Sequence, residues 1–255
     1  MYTGTAASDI LIVGNSRGVN SFYQPALEEA LQQRVFNLSY NGLRVDIARR
    51  LIEDYLAHQP APRVLVLEAS ALTQAYPELL KDFKVFAPPG SAVATLFQRE
   101  FPQQATFARL SHLYRYNSPM LLRAMYYWQR SDQGWINERN ISDAQIAALA
   151  NFKGTQLNTN TDLLADLAAI QTLCSERGIK LQVVLAPYYP AYAEKFNNIA
   201  DWKARLDAVL DQPVRDYSRA VPAERIYYAD WVHLNRAGGL QFLETLLTDN
   251  IFATR

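Results

Sequence analysis

The chain has 255 residues, enough for one large domain or one domain carrying an elaborate insertion, and the second is expected. Lysine plus arginine and aspartate plus glutamate both number 25, so no bulk field draws it to nucleic acid or to an anionic membrane surface. The single cysteine, Cys174, excludes an internal disulfide and a cysteine-based zinc or redox motif, and no stretch has the roughly 18 to 20 apolar residues of a membrane span.

The start of the chain lacks the basic-then-apolar layout of a signal peptide. Small and polar residues after Met1 lead quickly into an apolar run, and an anchor or export signal trimmed from such a start would leave no trace. Compartment is therefore not legible from composition.

Three short apolar runs, Ile10 to Val13, Val35 to Leu38 and Val64 to Leu67, read as buried parallel strands. Strong helix formers behind Pro25 separate the first two. Apolar residues at helical spacing from Val45 to Leu56, stopped by Pro60 and Pro62, separate the next two. From about residue 75 to 155 the rhythm changes to Phe, Tyr, Trp and Arg at helical spacing, broken at Pro88-Pro89-Gly90 and Ser118-Pro119. This predicts a largely helical insertion after the third strand. Its run Met125-Tyr126-Tyr127-Trp128 reads as a packing face, with a lid or acceptor-binding wall as the functional alternative.

The strand–helix alternation then resumes. Leu163 to Cys174 reads as a helix closed by Gly178, Leu181 to Leu185 as a strand stopped by Pro187, and Ile199 to about Leu210 as a helix. Ile226 to Tyr228 is expected to be a short last strand, followed by an apolar helix from Leu240 to Leu247. Cys174 falls on a helix and reads as an inert core residue. The whole predicts a single α/β domain over residues 1–255: a three-layer α/β/α, flavodoxin-like fold with a five-stranded parallel sheet.

Chemistry concentrates at two places. Strand Ile10 to Val13 ends abruptly in Gly14-Asn15-Ser16-Arg17-Gly18, at the strand end where open α/β sheets bind ligands. Ser16 there can supply a nucleophilic hydroxyl and a backbone donor, or it can simply cap the following helix. Near the other end, Asp230-Trp-Val-His233 follows the expected last strand. Its spacing lets the carboxylate hold one imidazole nitrogen while the other faces the crevice, although an N-cap and a surface histidine would give the same residues.

Together these segments resemble the GDSL/SGNH hydrolase family. Gly14-Asn15-Ser16 is similar to its Gly-Asp-Ser block, Asn37-Leu-Ser-Tyr-Asn-Gly42 to its second block, and Asp230-x-x-His233 to its last, in the family's order. The resemblance implies Ser16 as nucleophile, His233 as general base, Asp230 as its orienting partner, and the Ser16 and Gly42 amides as oxyanion donors. Asn15, Arg17 and Asn41 in these blocks are candidate substrate contacts. Two departures stand out. Asn15 replaces the family's aspartate, and the third block's Gly-x-Asn-Asp is missing, with Leu67-Glu68-Ala69-Ser70 in its place. Ser70, or a backbone amide in that loop, is a candidate substitute oxyanion donor.

The divergent blocks and aromatic insertion are similar in kind to those of SGNH proteins that acetylate or deacetylate bacterial polysaccharides. The resemblance thus implies a serine-dependent carbohydrate esterase or O-acetyltransferase of the cell envelope or periplasm. It would use an acyl-ester donor and a carbohydrate or other hydroxyl acceptor, no cofactor, no metal and no nucleic acid, with a membrane-bound partner protein if an anchor was trimmed. The rival class is a non-catalytic carbohydrate-binding or scaffolding module keeping this fold.

Other residues read as scaffold. His58 and His112 lack a second ligand at metal spacing. Glu68, ending a buried strand, is expected to bond the Ser16 loop or an arginine such as Arg17, or else to touch substrate. The turn after the first strand has neither a P-loop ending nor a three-glycine fingerprint, which disfavours nucleotide binding.

Overall fold

The computed structural model describes residues 1–2, 6–72, 77–117, 125, 136–158 and 160–253. Five parallel strands, β1 (Ile10–Val13), β2 (Val35–Asn37), β3 (Val64–Glu68), β4 (Lys180–Leu185) and β5 (Arg215–Asp216), form one sheet in the order β2-β1-β3-β4-β5. That is the flavodoxin-like doubly wound order, whose switch point lies between β1 and β3. In register, Val13 pairs with Leu67 and Glu68 with Val184, so the loops after β1, β3 and β4 open on one edge.

Because side chains alternate along a strand, the apolar runs feed two cores. Leu11, Val13, Leu65, Leu67, Val183 and Leu185 face one layer, made by helices Val45–His58, Thr161–Glu176 and Ile199–Asp207. Ile10, Ile12, Val64, Val66 and Val184 face the other, made by helices Gln24–Leu31 and Arg236–Thr248. Cys174 is buried in the first core, where burial pushes its thiol up to about 12 and leaves it inert near neutrality.

Between β3 and β4 the described residues include helices Ala92–Glu100, Pro102–Leu110, His112–Tyr116 and Asp143–Ala148. Leu80, Phe83, Val93, Leu96 and Phe97 join the first core, whereas Ile141 and Leu149 join the second, so this segment straddles the sheet. Asp54, buried on helix Val45–His58, accepts the Ala92 and Val93 amides and so caps helix Ala92–Glu100 from another element. Of the Met125–Trp128 run, only Met125 lies within the described residues, and it is exposed.

The last strand is not where the sequence pattern put it. Ile226 to Tyr228 falls in a 3₁₀ turn, Arg225–Tyr227, after which Tyr228 makes a single antiparallel bridge to Leu234. The fifth strand is the two-residue Arg215–Asp216, pairing with Val184 and Leu185. It carries no apolar run, and its arginine bonds the buried Gln182 of β4 instead, so periodicity could not mark it.

Candidate active site

Ser16 stands at the carboxyl end of β1. Asn15, in extended conformation, caps helix Ser16–Ser21 by accepting the Arg17 amide at 2.9 Å, so the capping role that the sequence also allowed Ser16 belongs to its neighbour. Ser16 is thereby the first helical residue, where a backbone N–H has no intrahelical acceptor. Among the described residues that N–H has no hydrogen-bond partner.

Close packing holds this turn. A Cβ on Gly14 would come within 2.7 Å of the Glu68 Cβ, and one on Gly18 within 2.4 Å of Ser39 Oγ, so the β1 loop lies against the loops after β2 and β3 only because both are glycine. Asn37 fastens the same contact by donating to the Gly18 and Phe22 carbonyls while accepting the Ser39 amide.

The loop carrying Asp230 and His233 is organised from within. Asp230 Oδ1 accepts the amides of Val232 at 2.9 Å and His233 at 3.0 Å, and both carboxylate oxygens lie 3.0 Å from His233 Nδ1. The Ala229 amide bonds the His233 carbonyl, closing a small hairpin. Asn235 then caps helix Arg236–Thr248 through the Gly238 amide. A Cβ on Gly238 would sit 2.0 Å from the Tyr227 carbonyl oxygen, so glycine is what lets this helix press against the base of the loop.

Across the edge of the sheet, His233 Nε2 lies 2.7 Å from Ser16 Oγ, closing a contact between residues 217 positions apart. Asp230, His233 and Ser16 thus form one hydrogen-bonded line, with the Asp230 and His233 side chains about one-fifth exposed. Burial works to raise the Asp230 carboxyl, but the His233 imidazole bonded to it and the two loop amides outweigh that and hold it below the ordinary carboxylate value. An ionised carboxylate on Nδ1 fixes the tautomer that leaves Nε2 free to accept a hydroxyl proton, and it stabilises the imidazolium that follows. Arg139, from the segment before β4, approaches Asp230 Oδ2 at 3.4 Å, a contact with no sequence signal.

The remaining sequence candidates fall in different places. Tyr40 and Leu43 close a turn whose third residue, Gly42, has φ +77°, the left-handed value that position of a type II turn requires. The Tyr40 amide bonds the Gly14 carbonyl, which brings the turn beside the Ser16 loop, and the Gly42 amide has no hydrogen-bond partner among the described residues. Asn41 is exposed at the tip of this turn.

Ser70 is not placed to donate to a substrate oxygen: its amide bonds Glu68 Oε2, and its hydroxyl sits between Glu68 Oε2 and Asn15 Oδ1. With both of its donors engaged, it does not stand in for the missing asparagine. Asn15 likewise spends its carbonyl oxygen on Arg17 and Ser70. Arg17 does not face a substrate either; it is 4% exposed, pairs with Glu68 as one sequence reading expected, and turns its remaining donors to backbone carbonyls.

His58 bonds the Asp54 carbonyl through Nδ1, and His112 is an exposed residue stacked on Tyr116. Among the described residues no group of three or more His, Cys, Asp or Glu is placed to hold a metal ion.

No family model and no curated protein matches this chain. Among solved structures it is similar to a GDSL-like lipase from Bacteroides thetaiotaomicron VPI-5482, at 12% identity and a TM-score of 0.43 over 95% of this chain and 86% of that one. It is also similar to an acetyl xylan esterase, at 14% identity and a TM-score of 0.47 over 95% of this chain and 99% of that one.

Proposed function

We propose that this chain is a serine esterase working through an acyl-enzyme, with Ser16 as nucleophile, His233 as general base and then acid, and Asp230 as the group that holds the imidazole. The observation that carries this reading is the 2.7 Å approach of His233 Nε2 to Ser16 Oγ while Nδ1 is engaged by Asp230. In the first half-reaction His233 takes the Ser16 proton as Oγ bonds to the ester carbonyl carbon. The carbonyl π pair moves onto oxygen, which the unpartnered Ser16 and Gly42 amides receive. Collapse of that intermediate expels the alcohol, which leaves with the proton held by His233. In the second half water or a sugar hydroxyl gives its proton to His233 and attacks the acyl group, and Ser16 regains the proton on release.

Within this reading the substrate class is an O-acetyl or related acyl ester of a bacterial polysaccharide, drawn from the sequence blocks, and transfer to a sugar hydroxyl is the alternative to hydrolysis. With Ser70 committed elsewhere, the site works with two oxyanion donors. One missing donor typically costs about 2.7 to 4 kcal/mol of transition-state stabilisation, so turnover on simple esters is expected to be slow.

The test is to incubate the protein with an activated acetyl ester and measure intact mass. The wild type is expected to gain an acetyl adduct that Ser16→Ala and His233→Ala do not. A folded wild type that takes up neither acetyl nor a serine-directed phosphonate probe sinks the reading and favours a carbohydrate-binding or scaffolding module. Adding oligosaccharides and comparing acylated sugar with free acid then separates transferase from esterase.

A further inference from the structure

The loop after β3 lacks the family's third block, and what stands there is a fully buried carboxylate, Glu68. Its Oε1 faces Arg17 Nε at 3.4 Å and accepts the Ala186 amide at 3.3 Å, while Oε2 takes the Ser70 amide and hydroxyl. Arg17 is buried beside it. One Nη donates to the carbonyls of Ala186 and Pro187, the other reaches the Val232 carbonyl at 3.4 Å, and the guanidinium lies 3.2 Å over the ring of the buried Tyr188.

These contacts have a particular arrangement along the chain. Arg17 directly follows Ser16, and Val232 directly precedes His233. One rigid guanidinium, carried by the residue next to Ser16, therefore touches the residue next to His233, and Glu68 ties the same cation to the loops after β3 and β4. Arginine is suited to this because its planar fork presents several donors in fixed directions, which a lysine ammonium cannot reproduce.

We propose that the Arg17–Glu68 pair is a positioning device for the esterase chemistry: it sets the distance between the Ser16 loop and the His233 loop, in the place where the family's third block is absent. The inference rests on the reading of Ser16 as nucleophile. Asp230 orients His233 within its own loop, but nothing in that loop fixes where Ser16 lies. Among the described residues, helix Ser16–Ser21 packs on helix Arg236–Thr248 further along, and the Arg17 to Val232 contact adds a direct link between the two loops beside the Ser16–His233 bond itself.

Arg17→Lys keeps the charge beside Glu68 but cannot reach the Ala186 and Pro187 carbonyls and the Val232 carbonyl at once, so it is the informative variant. Active-site titration with a serine-directed phosphonate separates two roles. If the pair positions the loops, the titrated fraction of sites stays near that of the wild type and KM is unchanged, while the acylation rate per titrated site falls. A loss of about 10²-fold is expected, the scale that a misplacement near 1 Å produces. The His233 imidazole N–H proton resonance, which reports the bond to Asp230, should persist in the same variant.

Two outcomes overturn the proposal. One is an acylation rate per site equal to that of the wild type; the other is a loss carried entirely by fewer titratable sites, which marks a purely structural ion pair. Glu68→Gln is the second variant, because it removes the anion with little change of shape and should lower the same rate without raising KM. Failure of the underlying reading looks different, since the wild type itself would then not acylate at Ser16.

Discussion

The loop that carries Asp230 and His233 and the loop that carries Glu68 and Ser70 sit on the same edge of the sheet, yet they are built in opposite ways. Asp230 takes its amide and imidazole contacts from within three residues, from Val232 and His233, and Arg139 adds a longer contact at 3.4 Å. Glu68 takes its charge partner from Arg17, 51 positions away, and an amide from Ala186, 118 positions away. A locally closed loop carries its geometry wherever the fold places it, whereas the Glu68 loop acquires a geometry only when three strands are already in register.

Breaking the local loop is expected to have the larger effect on chemistry. Asp230→Asn keeps the shape but favours the wrong imidazole tautomer, and the turnover of an activated ester is expected to drop about 10⁴-fold, equivalent to about 5 kcal/mol, with little change in the thermal midpoint. A drop below tenfold in a folded variant would detach Asp230 from the mechanism.

Breaking the long-range loop should add a loss of stability to the smaller loss of rate expected of the Arg17–Glu68 variants. Glu68→Ala leaves the Arg17 cation buried without its anion, and urea unfolding is expected to report a loss of about 3 to 5 kcal/mol. A loss under 1 kcal/mol would mean that water already reaches this pair.

Asn15→Asp sharpens the comparison, because it restores the residue the family resemblance leads one to expect. The introduced carboxylate and that of Glu68 would then flank the single Ser70 hydroxyl, and unit charges about 4 Å apart at an effective dielectric near 20 repel by about 4 kcal/mol. A carboxylate at a helix N-cap returns about 1 kcal/mol. The net loss, about 2 to 3 kcal/mol, should fade at low pH, where the introduced carboxyl takes up a proton. A variant as stable as wild type at neutral pH would sink the account of why this position is neutral.

The smallest expected effect is a pH dependence in the intact protein. Asp230 has a folded-state pKa below its unfolded one, so its contribution to stability is fully present above the unfolded value and is lost as pH falls through the folded value. Comparing urea midpoints of wild type and Asp230→Asn across the acidic range should show the difference between them shrinking toward low pH. A constant difference would place the cause elsewhere.

Much of the architecture was legible because the residues that make it repeat at short range. Ile10–Val13 and Val64 to Leu67 are continuous apolar runs buried on both faces, and Leu163, Leu167, Ile170 and Cys174 keep a helical stripe that the Thr161–Glu176 helix buries. Gly14-Asn15-Ser16 and Asp230-x-x-His233 were legible for the same reason, each being a short turn whose residue types define its shape. What misled was equally physical. Ile226 to Tyr228 is apolar enough for a strand, but Tyr228 is buried because its hydroxyl bonds the Val221 carbonyl and its ring packs on Tyr189, not because it joins the sheet. Ser70 looked available because sequence does not reveal a hydroxyl's partner.

By itself, then, the sequence determined the layering, the parallel sheet and the two turns that hold Ser16 and the Asp230–His233 pair, since each depends on contacts a few residues apart. Only the tertiary structure decided that His233 meets Ser16, that Arg17 turns inward to Glu68 and the Val232 carbonyl, and that Ser70 is spent on its neighbours. Those outcomes depend on which strand ends become adjacent, and on how buried charges find partners once water is excluded, and neither quantity is written in any local stretch of the chain.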